Sequence, residues 1–181
     1  MSAALGILHE RGVRALVQTR VARAAGVPQG HLTYYFPKKA DLLVAVARRF
    51  REDTAREAAR WFGPGRPQGL SREERVLAVV RGLGEDLART RALVGLMLES
   101  ESEPALHKEM LEGVADLRRF LAWVLGRDEP DADVDLVLAL FWGLGIQHLL
   151  AGGAQGNKQH AELAARAAAL IPLLARPQDA R

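Results

Sequence analysis

Val21-Ala22-Arg23-Ala24-Ala25-Gly26-Val27-Pro28-Gln29-Gly30-His31-Leu32-Thr33-Tyr34-Tyr35-Phe36-Pro37-Lys38-Lys39-Ala40-Asp41-Leu42-Leu43 is the stretch on which the fold turns. It predicts two short helices, over 18–25 and 29–35, joined by a tight turn at Gly26. Glycine suits that turn because the left-handed backbone conformation penalises a side chain. Val21, Ala22 and Ala25 are placed to face the next helix through Val27 and Leu32. Pro28 suits the first position of that helix, where its missing N–H costs nothing. The second helix then presents Gln29, Gly30, His31, Thr33, Tyr34 and Tyr35. It is short, free of acid and able to hydrogen-bond, as entry into a major groove requires. An ordinary αα-corner in a helical core is the competing reading of the same local pattern.

Working outward, the whole chain reads as helix. A short apolar helix is expected over 3–10. A long one covers 40–62, with Leu43, Val46, Ala47, Phe50, Thr54 and Trp61 at three-to-four spacing. Gly63-Pro64-Gly65-Arg66-Pro67-Gln68-Gly69 breaks the pattern. Ser71 followed by Glu74 has the spacing of a capping box. Val76, Val79, Val80, Leu83 and Leu87 form the stripe of the next helix. Further helices are expected over 92–101 (ending near Pro104), 106–124, 131–152 and 158–175. No alternating strand pattern occurs. The expectation is an all-α protein of about nine helices: an N-terminal helix-turn-helix bundle, 1–45, and a C-terminal effector-binding and dimerisation bundle, 46–181.

The chain has 181 residues, 49% of them apolar and 26% charged, which excludes disorder over most of its length. It has no cysteine. That excludes a disulfide framework, a thiolate metal site and a Cys nucleophile, and fits a reducing cytoplasm. Residues 1–60 hold eleven Lys and Arg against five Asp and Glu, whereas the remainder holds fourteen against seventeen. A basic end on a mildly acidic body suggests a polyanionic partner for the first third, or else a solvated basic face. Residues 136–157 are uncharged and long enough to span a bilayer. Five glycines, Gln147 and His148 interrupt them, and the leading flank is acidic, so the buried centre of a bundle is the preferred reading. No secretion signal is expected in residues 1–11. Neither a nucleophile elbow, a P-loop nor a dinucleotide fingerprint is present, which leaves an enzymatic reading without chemistry.

Residues 12–42 resemble the DNA-binding domain of the TetR-type bacterial transcriptional regulators. The resemblance rests on Val21-Ala22, Ala25-Gly26-Val27, Gly30 two residues before Leu32, the aromatic pair before Phe36, and Lys39 ahead of Asp41-Leu42. It implies that Gln29, His31, Tyr34 and Tyr35 contact bases or phosphates, and that Lys39 is the phosphate lysine of the motif. Gln18, Thr19 and Arg20 open the preceding helix, whose N-terminus offers its dipole to a phosphate. Leu32 and Phe36 are assigned to the core. Arg48, Arg49 and Arg51 are read as solvated helix charges rather than DNA contacts. Val17 stands where the family usually carries a capping Thr or Ser, and Thr33 where it usually carries Tyr. The first helix lacks the extra turn that the family normally has.

By the same resemblance, the body senses a small apolar effector. Trp61, Phe62, Met97, Met110, Phe120, Trp123 and Trp142 are candidates to line its pocket, with simple core packing as the alternative for each. His107, His148, Glu99 and Glu103 are candidates to orient the ligand. Their spacing does not suit a metal, and no cofactor is expected. A homodimer is expected, because two readers must reach major grooves about one turn apart. Phe141, Gly145, His148 and Leu149 would form its interface with Leu163, Ala167, Leu170 and Leu174. The reading is a cytoplasmic repressor released from a palindromic operator by its ligand; the alternative is a helical interaction adaptor that binds no specific DNA.

Overall fold

A computed structural model of the chain describes residues 1–62, 69–83, 87–128 and 130–151, with Glu162, Arg166 and Ala169. The elements are α1 (Ser2–Arg11), a 3-10 turn (Val13–Ala15), α2 (Gln18–Ala25), α3 (Gln29–Tyr35), α4 (Lys39–Arg60), α5 (Arg72–Leu83), α6 (Leu87–Ser100), α7 (Pro104–Leu125) and α8 (Ala132–Ala151). The described residues contain eight α-helices and no strand, so the all-α expectation holds. The expected ninth helix, 158–175, and the breaker at 63–68 lie outside the described residues. Two boundaries differ from expectation. Leu87 does not end the stripe of α5 but opens α6. Pro104 does not merely stop α6; it is the first residue of α7, where its ring fits and its missing N–H costs nothing.

The chain divides into two compact units, residues 1–55 with 88–114, and residues 56–87 with 115–181. In the first, α1, the 3-10 turn, α2 and α4 share a core with α6 and the start of α7. Leu8, Leu16, Leu42, Leu43, Val46, Leu96 and Leu106 are fully buried in it. The stripe read along α4 is therefore real: Leu43, Val46, Ala47 and Phe50 all face inward. Each such leucine contributes about 1.5–3 kcal/mol by leaving water. Helix α6 docks closely, because Gly95 has no side chain. A Cβ there would lie 3.0 Å from Val13 Cγ1.

The second unit buries Val76 and Val79 of α5, Leu121, Ala122, Val124 and Leu125 of α7, and Val134, Val137 and Leu138 of α8. Its helix ends carry the signals the sequence announced. The Ser71 N–H donates to Glu74 Oε2 (2.7 Å) and the Glu74 N–H donates to Ser71 Oγ (3.2 Å), closing the capping box. Asp131 accepts the Asp133 N–H at 2.8 Å and so caps α8. Leu136, Ile146 and Leu150 of α8 are exposed, Leu150 by 82%. Among the described residues, no helix is long and apolar enough to cross a membrane.

Candidate nucleic-acid interface

The turn between α2 and α3 is built as its sequence requires. Gly26 sits at φ 67°, ψ 28°, the left-handed region, and its N–H closes α2 onto Arg23. Val21 and Ala22 are buried, and Leu32 and Phe36 pack against the core of the unit. Ala25, expected to face α3, is exposed instead. Pro28 lies one residue earlier than expected, at the cap rather than inside the helix. Its carbonyl accepts the His31 N–H at 3.1 Å. Val17 caps α2 without a side-chain hydrogen bond. Gln18 does not replace it: its side-chain amide donates to the Phe36 carbonyl and ties the start of α2 to the end of α3. The two helices are thus pinned at both ends, by the glycine turn and by this bond.

What remains outward is the reader. No residue of α3 is fully buried, and Gln29, Gly30, His31, Thr33, Tyr34 and Tyr35 are all exposed. Tyr34 and Tyr35 are 78% and 64% exposed, which is unusual for large rings without a partner. Tyr35 packs against His31 and Tyr34, with ring centroids 5.3 Å apart in each pair. Thr33 Oγ1 donates back to the Gln29 carbonyl at 3.1 Å, so its methyl is the group left to project. Thr19 and Arg20 are exposed at the start of α2, and one Arg20 N–H donates to the Ala15 carbonyl (3.3 Å). Residues 11–40 contain six Lys and Arg and no Asp or Glu. A surface of this kind repels nothing on a phosphate backbone.

Lys38 and Lys39 lie at the start of α4, next to the end of α3. Asp41 accepts the Lys38 N–H at 2.9 Å, which fixes that helix start. Lys39 Nζ does not stand alone: it donates to Glu99 Oε2 of α6 at 2.9 Å. Nor are the arginines of α4 simply solvated. Arg48 donates through Nε (3.3 Å) and Nη2 (3.1 Å) to Oε2 of Glu109 on α7. Arg51 Nη2 lies 3.1 Å from Glu109 Oε1 as an ion pair, and Nη1 donates to Glu112 at 3.0 Å. Glu109 is only 5% exposed. Arg49 pairs along its own helix with Glu52 and Asp53. The partners of Arg48 and Arg51 are about sixty residues away in sequence, which is why periodicity within α4 does not reveal them.

The ligand candidates fall into separate places. In the second unit, Trp61, Phe62, Phe120 and Trp123 form one cluster. Phe62 and Trp123 are 5.1 Å apart edge to face, and Trp61 meets Phe120 at 6.5 Å. The Arg75 guanidinium covers Trp123 at 5.0 Å, a cation–π pair that no helical spacing announces. Trp142 pairs instead with Phe141 on α8, at 6.0 Å. Met110 packs against the core of the first unit, and Met97 of that unit is exposed. His107 is exposed, and Glu99 is engaged by Lys39. No group of acids and histidines able to hold a metal occurs among the described residues. Phe141, Gly145 and Leu149 are half-buried on α8. The His148 side chain, Leu163, Ala167, Leu170 and Leu174 lie outside the described residues.

Comparison with known proteins agrees with this geometry. Residues 1–46 match the model of the bacterial regulatory proteins, tetR family. The multidrug binding protein EbrR, solved with ethidium, is similar at 26% identity and a TM-score of 0.66, over 92% of this chain and 94% of that one. A TetR-family member from Streptomyces coelicolor A3 gives the same four values. A transcriptional regulator from Rhodococcus sp. Rha1 shares the fold at TM-score 0.75 and 20% identity, over 95% and 93% of the two chains. No curated protein sequence matches. An outward, acid-free helix held by a glycine turn, in a fold shared with these proteins, defines a helix-turn-helix DNA-binding regulator of transcription. Its first 46 residues are similar to the DNA-binding part of the bacterial regulatory proteins of the tetR family, and the whole chain is similar in fold to a TetR-family member.

Proposed function

We propose that this regulator is a cytoplasmic repressor, bound to a palindromic operator as a homodimer and released by a small apolar effector. The observation that carries the DNA half is the exposed helix α3 within an acid-free stretch of thirty residues. Gln29, His31, Tyr34 and Tyr35 read base edges, with the Thr33 methyl against a thymine. Thr19, Arg20 and Lys39 hold phosphates, and Gly30 lets α3 approach closely. Residues 1–45 serve as the reader and residues 46–181 as the sensing and dimerising part. The apolar face that α8 leaves exposed at Leu136, Ile146 and Leu150 supports its use between two copies.

The aromatic cluster of Trp61, Phe62, Phe120 and Trp123 supports an effector that is flat and apolar. EbrR, a relative of similar fold, has been solved with ethidium and with proflavin, both flat dyes. Trp61 and Phe62 directly follow α4, whose 22 residues span roughly 33 Å from Lys39. A ligand that displaces the end of α4 shifts its start and misplaces one reader on its half-site. Selection of bound duplexes from a random pool tests the DNA half: a regulator enriches a palindrome, and an adaptor enriches nothing. Titrating effector into free protein and into the operator complex tests the release. Linkage requires operator to weaken the effector by the factor by which effector weakens operator, and equal affinities in the two titrations refute it.

A further inference from the structure

We infer that Glu99 is a built-in counter-charge that competes with DNA phosphate for Lys39 and thereby sets the affinity of the reader. The inference rests on the DNA-reading role of α3 and the start of α4. Lys39 is a cation at the edge of the reader, 47% exposed, in a position to meet the phosphate beside a base-reading helix. Its ammonium is already committed at 2.9 Å to a carboxylate that is 23% exposed.

Three features make that carboxylate more than a chance surface partner. Glu99 lies one turn beyond Gly95, the residue whose missing side chain seats α6 against Val13, so the backbone that carries it is fixed on the reader's own core. Ala92, Leu96 and Ser100 of the same helix are buried there, which leaves α6 little freedom to roll. Glu99 also lies in the last turn of α6, where the helix dipole disfavours an anion. Lys39 is therefore its counter-ion. A phosphate that takes Lys39 either strips Glu99 of that counter-ion or approaches within a few ångström of a second anion. Both costs subtract from DNA binding.

The competition concerns phosphate, so it carries no sequence information. Removing the Glu99 charge should tighten binding to the selected duplex and to a mixed-sequence duplex alike, leaving their ratio unchanged. For a half-exposed pair the gain is about two- to fivefold at low salt, shrinking as salt rises.

A double-mutant cycle tests this, with wild type, Glu99→Gln, Lys39→Ala and the double variant titrated by fluorescence anisotropy against both duplexes. The expected result is tighter binding by Glu99→Gln, with most of that gain gone in the Lys39→Ala background. Unchanged or weaker binding by a folded Glu99→Gln overturns the inference. So does a gain of equal size without Lys39, which would reflect general repulsion of DNA. Glu99→Ala carries the same expectation should the Gln variant fold poorly. Unfolding of both would assign the pair a purely structural role and reject the competition. Failure of the wild type to bind either duplex would instead overturn the DNA-reading role itself.

Discussion

Glu109 is the group in the first unit with the most to lose. Its carboxylate is 5% exposed, whereas its partners Arg48 and Arg51 are 59% and 27% exposed. The charge that left water is thus the acid, and this makes the two sides of the pair unequal. In Glu109→Gln the arginines turn back to solvent, and Arg51 keeps Glu112 at 3.0 Å. The loss is then that of charge-assisted hydrogen bonds partly offset by rehydration, about 1–2 kcal/mol. In Arg48→Met/Arg51→Met the carboxylate is stranded inside with no cation, which costs about 3–5 kcal/mol. Urea unfolding at one fixed protein concentration measures both, since dimerisation would otherwise enter the midpoint. The arginine variant should fall further than the glutamate variant, with unchanged m-values. Equal losses, or a larger one for Glu109→Gln, would refute the argument from unequal burial. Because this clamp joins α4 to α7, Glu109→Gln should also quicken amide exchange in both helices near the clamp.

Other outcomes follow from the same structure. Lys39→Ala should weaken binding to every duplex and lower the salt slope by about 0.9, one phosphate contact, as read from affinity against salt concentration. His31→Ala or Tyr34→Ala should instead change base preference, costing about 1–3 kcal/mol at particular positions in a selection experiment; uniform losses would misplace the reading helix. Gly26→Ala should destabilise the reader by about 1–2 kcal/mol, because φ is 67° there; an unchanged midpoint would contradict the left-handed turn. Leu150→Glu with Ile146→Lys should shift a dimer toward monomer in sedimentation at micromolar concentration, while a wild-type monomer under those conditions would reject the proposed assembly.

The local pattern alone determined the helix-turn-helix. Helices α2 and α3 begin and end where Gly26, Pro28 and Pro37 dictate, and the long stripe of α4 faces inward as its spacing requires. Such features are legible because caps, turns and amphipathic faces depend on neighbours within a few residues. The same holds for the capping box at Ser71 and Glu74. Only the tertiary structure decided how the charged and aromatic side chains of separate helices are used. Lys39 meets Glu99, and Arg48 and Arg51 close on Glu109, across about sixty residues. Gln18, expected at the phosphate-facing start of α2, is spent on the Phe36 carbonyl. Trp61, Phe62, Phe120 and Trp123 gather while Met97 and Met110 belong to the other unit. No periodicity encodes such pairings, because a helical repeat specifies which residues share a face and not which distant face that one meets.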